Sequence, residues 1–254
     1  MKKSVNFAFY LAYCELKQIE RYLDHINSTI EENKGKLSED LEIGAKELNG
    51  DERHEYIENY RDEIDEFEVD MPRILFSGVL ITWFSFIENH LADICSKSEL
   101  KISIGFDDKW RSTEGMWRAH DFLSKGAGYQ IDNSMWEKLT KISKIRNIIV
   151  HRDGKLEFSF EDDTGDMIRL RLLGNTFVYT SDLGDSKKGR SLASYLEKEK
   201  LTRYSQFLYI FPNYAYCKSL ISFGIDFLGK IYEDLEALGV VKKDKIRVSI
   251  SLSD

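Results

Sequence analysis

Apolar residues recur at alternating spacings of three and four near the start of the chain: Phe9, Ala12, Leu16, Ile19, Leu23, Ile26 and Ile30. That narrow seam predicts a helix over about Val5 to Asn33, packed along one stripe against a partner helix. The stretch "NKGK" should break it. A second helical region is expected from about Ser38 to Glu68, interrupted near "LNGDE" and carrying a seam of Ile57, Tyr60, Ile64 and Phe67. Pro72 fits the start of the next helix, where its missing N–H costs little. This helix, to about Ser98, contains "ILFSGVLITWFSFI", the longest uncharged apolar run in the chain. Its 14 residues fall short of a bilayer crossing and read as a helix buried on most sides.

From Lys101 to Tyr129 the pattern is irregular, with room for one short helix around Trp117 to Ser124. A helix with clear ends follows, with Asn133 or Ser134 placed to cap its start and Gly154 to close it. Then the period changes. "KLEFSFEDDTGDMIRLRLL" holds two alternating runs around a turn, which predicts a hairpin, and "TFVYT" can add a third strand. "DLGDSKKGRS" reads as a loop and "LASYLEKEKL" as a short helix. A last long helix is expected from about Pro212 to Leu238, with Cys217, Ile221, Gly224, Leu228, Ile231, Leu235 and Leu238 on its seam. Gly224 there would admit a neighbouring backbone. The tail "KIRVSISLSD" alternates like a strand beside the hairpin. The fold class is mainly α, with an N-terminal helical extension over residues 1–69. A helical domain over 70–254 takes a small β insertion around 155–183.

Composition narrows the function classes. The chain has 254 residues, 42% hydrophobic and 31% charged, enough to bury a core without staples. A net charge of −8 argues against a general coat of nucleic-acid binding but leaves room for a local basic site. Cys14, Cys95 and Cys217 are far apart and form no CxxC, which suits a reducing, cytoplasmic location. "MKKSVNFAFYLAYC" has two lysines before an apolar run, yet the run is short and ends in bulky Tyr13, so a plain helix start is expected.

The chemistry concentrates in "KISKIRNIIVHRDG". At about 100° per residue, Leu139, Ile142, Ile145, Ile149 and Val150 share an apolar side. Lys141, Lys144, Asn147 and His151 lie opposite, with Asn147 and His151 one turn apart. Arg146 falls within the apolar arc, about 140° from His151. A guanidinium there needs a carboxylate, a second chain or an anionic ligand, because burying a lone charge costs several kcal/mol, on the order of a fold's spare stability. Glu88, just after the apolar run, is the carboxylate of suitable character. Histidine exchanges protons near neutral pH, arginine holds phosphoryl oxygens as charge builds, and Asn147 can orient either. Lys138, Lys141 and Lys144, with Arg152, would steer a polyanion to this helix. These parts suit metal-free cleavage of RNA, with the internal 2′-OH as nucleophile and a cyclic phosphate as product.

"RNIIVH", an arginine, a polar residue and a histidine after a short gap, resembles the hallmark of the HEPN superfamily. The upstream "PRILFSGVLITWFSFIENHLADIC" is similar to the long second core helix of its bacterial members. The resemblance covers roughly Asp70 to Leu238. It implies a helical bundle, a homodimer with a composite cleft, and metal-independent ribonuclease activity of the kind found in toxins and phage-defence effectors. RNA and an antitoxin or regulatory protein would be the partners, with no cofactor, no metal and no membrane. In some branches a glutamate on the preceding helix joins the site, a place Glu88 would take. Toxins of this kind paired with nucleotidyltransferase antitoxins often carry a tyrosine two residues after the histidine; Asp153 stands there, which departs from that mode of control. Other members keep the fold without cutting RNA, so a non-catalytic module binding RNA, a nucleotide or a protein is the alternative.

The remaining candidates read more plainly. His90 suits a helix surface or interface. His25, His54 and His120 have no ligand partner at i+3 or i+4. The acidic run "DERHEYIENYRDEIDEFEVD" is a solvated face, and "EDDTGD" a hairpin turn rather than a calcium loop. Trp110, Trp117 and Trp136 are read as core residues ahead of base-stacking platforms.

Overall fold

The computed structural model describes residues 2–102, 115–156, 168–173, 176–181, 208–209, 211–240 and 247–251. They are mainly helical. Strand β1 (Lys2–Asn6) leads into helix α1 (Phe7–Gly44), followed by α2 (Gly50–Glu58), α3 (Arg61–Asp65), a π-helical turn (Glu66–Asp70) and α4 (Met71–Ile102). Next come α5 (Gly115–Asp121) with a π turn (Phe122–Gly126), and α6 (Asn133–Arg152). Strands β2 (Lys155–Leu156), β3 (Ile168–Leu173), β4 (Thr176–Ser181) and β5 (Leu208–Tyr209) precede α7 (Tyr214–Ala237) and β6 (Arg247–Ser251).

The chain divides into two compact units. One comprises Met1–His25, Val79–Thr140 and Lys218–Asp254; the other, Ile26–Gly78 and Lys141–Cys217. A boundary after residue 69 therefore falls inside the second unit.

In the first unit, β1 pairs antiparallel with β6, from Lys2 opposite Ser251 to Asn6 opposite Arg247. The tail strand thus joins the N-terminus rather than a hairpin. Residues 2–6 are extended instead of opening the helix, and the helix starts where the Asn6 side chain accepts from the Ala8 N–H at 2.8 Å. Phe9, Ala12, Leu16 and Leu23 of the predicted seam are buried, as are Ile221, Leu228, Ile231 and Leu235 of the last helix; Leu238 is 57% exposed. Trp83, Phe84, Ile87 and Leu91 are fully or almost fully buried, as the apolar run requires. Gly224 does make room for a neighbour, but the neighbour is a side chain: a Cβ there would lie 2.8 Å from Trp83 Nε1 and 3.3 Å from Ile87 Cδ1. The Cys95 thiol lies 3.7 Å from the Ala119 carbonyl, tying α4 to α5.

In the second unit, α1 continues straight through "NKGK". An interior glycine costs only about 1 kcal/mol. Lys36 to Glu32 at 2.8 Å and Lys34 to Glu31 at 3.8 Å flank Gly35 and offset part of that cost. The interruption near "LNGDE" is present. Asn49 accepts from the Glu52 N–H while Glu52 accepts from the Asn49 N–H, a reciprocal cap that starts α2. Pro72 is the second residue of α4, near its start as expected. The chain is helical from Arg61 onward and passes through the π turn, where the Met71 N–H bonds back five residues to the Glu66 carbonyl. This wider turn immediately before Pro72 accommodates a residue that cannot donate. By length and composition, Arg61–Ser96 could cross a membrane, and 44% of its most apolar window is buried in this fold. Cys217 is buried in an apolar setting that pushes its thiol up to about 12, and its Sγ lies 3.5 Å from the Phe76 carbonyl.

"TFVYT" adds a strand beside "IRLRLL" as expected, and the first run of the expected hairpin lies outside the described residues beyond Leu156. β3 is antiparallel to β4, Ile168 opposite Ser181, while β2 pairs with β5, Lys155 opposite Tyr209. "TFVYT" is therefore the direct partner of "IRLRLL", and "KL" pairs with a segment read only as the approach to the last helix. The expected turn "EDDTG", the loop "DLGDSKKGRS" and the short helix "LASYLEKEKL" lie outside the described residues.

Candidate functional site

Helix α6 is set by its ends. Asp132, rather than Asn133 or Ser134, caps it: Oδ1 accepts from the N–H groups of Ser134 and Met135, each at 3.0 Å, and from the Ser134 hydroxyl. Those bonds hold the Asp132 carboxyl below its usual pKa. At the other end, Asp153 and Gly154 turn left-handed, at φ 48° and 74°, and the Gly154 N–H reaches the Ile148 carbonyl at 3.2 Å. The helix therefore stops just beyond His151.

The apolar side of α6 follows the expected stripe: Leu139, Ile142, Ile145 and Ile149 are buried. Val150, at the edge of that arc, is 42% exposed. Arg146 is half-buried, as its place on the wheel requires. Its Nη1 donates to the Oδ1 of the next residue, Asn147, at 2.9 Å. Asn147 and His151 are both exposed, one helical turn apart. The asparagine thus accepts from the guanidinium, a bond that helical spacing alone did not suggest, and precedes the histidine by one turn.

Lys138 and Lys144 are exposed. At about 100° per residue, Lys138 falls beside the apolar positions of α6, and its Nζ stands 4.5 Å from the Phe223 ring centroid, a cation–π contact within the first unit. Lys141 is half-buried. Arg152 is in the last turn of the helix; its side chain lies outside the described residues. Glu88 belongs to the first unit, where its carboxylate occupies the space a side chain at Gly115 would need. Gly115 has a positive φ of 54°, so both backbone and space favour glycine there.

Arg73 was not apparent from the sequence. Its Nη1 donates to Asp153 Oδ2 at 2.8 Å and its Nη2 lies 3.5 Å from Asp70 Oδ1, so a guanidinium from α4 meets the chain two residues after His151. Only the contact, 80 positions apart in sequence, reveals it.

Trp117 also departs from the core reading, being 46% exposed. It meets Trp136 edge-on at 5.0 Å between centroids, and His120 stacks on Trp136 at 4.2 Å. Burial holds the His120 imidazole below its usual pKa, with the Asp121 carboxylate acting the other way. His90 lies against the Phe86 ring at 4.3 Å and 3.8 Å from Glu15. Trp110 lies outside the described residues. Among the described residues, no three His, Cys, Asp or Glu side chains converge to hold a metal ion. A small cleft lined by Leu37, Leu41, Ile64 and Phe67 contains none of the "RNIIVH" residues.

No family model, no curated protein and no solved structure matches the chain.

Proposed function

We propose that this chain is a HEPN-type, metal-independent endoribonuclease, a cytoplasmic toxin or phage-defence effector that works as a homodimer with RNA held in a composite cleft. The observation that carries the reading is the bond from Arg146 to Asn147, made one turn from an exposed His151. It supplies a prepared guanidinium, a polar residue that fixes it and an accessible proton carrier.

In this proposal the His151 imidazole takes the proton of a ribose 2′-OH. The freed oxygen attacks the adjacent phosphorus, and the bond from phosphorus to the 5′-oxygen breaks. An imidazolium, that of the second copy, returns a proton to the leaving oxygen. The products are a 2′,3′-cyclic phosphate and a 5′-hydroxyl. Arg146 stabilises the extra negative charge on the phosphoryl oxygens, the role in which a positioned donor is worth most. Asn147 keeps the guanidinium aimed. Lys144, Lys141, Lys138 and Arg152 would attract the polyanion. Glu88 enters as a carboxylate of suitable character and through the family resemblance, and a regulatory protein or antitoxin would restrain the activity.

The test is incubation of purified protein with total RNA, with and without EDTA, followed by end-group analysis. The expected result is EDTA-insensitive cleavage leaving cyclic phosphates, lost in His151→Ala. RNA binding without cutting across pH ~5–9, the range in which histidine titrates, would instead identify a non-catalytic module.

A further inference from the structure

Asp153 is, among the described residues, the one non-glycine with a positive φ. It stands two residues after His151, and its carboxylate is 83% exposed. The guanidinium it accepts from is the less exposed partner: the Arg73 side chain is 25% exposed, and its second carboxylate, Asp70, is 58% exposed. So a partly sheltered cation is neutralised by two water-facing anions. Exposed pairs of this kind are weak, because solvent screens them and long side chains lose freedom in making them. A phosphodiester offers the same planar guanidinium a bidentate partner of higher charge density. Helix closure does not require the Asp153 carboxylate, since the Gly154 N–H already satisfies the Ile148 carbonyl. Arg73, Arg146, Asn147 and His151 belong to the same compact unit.

We infer that Arg73 is a second phosphate-gripping residue for the RNA, holding a phosphate beside the one that is cut. Asp153 is the carboxylate it releases when RNA arrives. This rests on the proposed ribonuclease site, which it extends by one residue and one exchange of partners. Asp153 then competes with RNA, so its removal strengthens binding, the opposite of what loss of a merely structural ion pair would do.

The experiment measures binding of a single-stranded RNA oligonucleotide to His151→Ala protein, which keeps the RNA intact, over a salt series. Each phosphate contact on a single strand contributes about 0.7 to the slope of log affinity against log salt. Arg73→Ala should lower the slope by about 0.7 and weaken binding about tenfold at low salt. Arg73→Lys should keep the slope, as it keeps the charge. Asp153→Asn should tighten binding about threefold, and should do so only while Arg73 is present. If Arg73→Ala does not fold, Arg73→Lys and Asp153→Asn decide. An unchanged slope in Arg73→Ala, or weaker binding in Asp153→Asn, overturns the inference. Wild-type protein that binds with these slopes but never cuts sinks the ribonuclease reading and leaves Arg73 as a phosphate contact released by Asp153 in a non-catalytic RNA-binding module. Protein that binds no RNA sinks both.

Discussion

At the scale of single residues, the sequence pattern located the unusual arginine but not its partner. Periodicity alone puts Arg146 in the apolar arc, and it is half-buried there. Its bond to Asn147 is a choice of rotamer, which no spacing rule encodes. The same rule places Lys138 beside the apolar positions, where it is exposed and its Nζ stands 4.5 Å from the Phe223 ring centroid, a contact that charge alone does not suggest. Two predictions belong here. Gly154 holds φ 74°, so Gly154→Ala should destabilise the fold by about 1–2 kcal/mol, seen as a lower denaturation midpoint. His120 is held below its usual pKa mainly by burial, so folding favours its neutral form. Its contribution is complete above the unfolded value of about 6.5 and is lost as pH falls from there toward the lower folded value. Thermal melts from pH ~8 to ~5.5 should therefore decline less in His120→Phe than in wild type. Equal declines would assign the pH dependence to other groups.

At the scale of elements, long seams were reliable and punctuation was mixed: the break near "LNGDE" and the stop at Gly154 are present, while "NKGK" is crossed. The seams of α1 and α7 are buried because a three-four spacing leaves one face with no alternative but packing. "NKGK" failed as a break because one glycine costs less than a long helix gains from continuing. Pro72 stands second in α4 as expected, and the π turn before it lets the chain enter that helix without a break. The strand pairings of β1 with β6 and β2 with β5 join positions far apart in the chain, which local alternation cannot specify. Gly224 provides the sharpest test at this scale. A methyl group there would sit 2.8 Å from the Trp83 indole nitrogen, so Gly224→Ala should cost about 1–3 kcal/mol in chemical denaturation. Asn49→Ala removes the reciprocal cap of α2 and should cost about 1 kcal/mol locally, read as faster amide exchange in residues 50–53.

For the whole molecule, the division into compact units was hidden from the sequence, because each unit gathers segments from distant parts of the chain. The homodimer of the proposal should sediment at twice the 29.6 kDa chain mass, and a chain that stays monomeric at assay concentration would remove the composite cleft. The central claim meets its most direct test in the RNA ends produced by wild type and by His151→Ala. Wild type should leave 2′,3′-cyclic phosphates and 5′-hydroxyls while the folded variant leaves the RNA intact. Equal cleavage by the two proteins would contradict the assignment of His151.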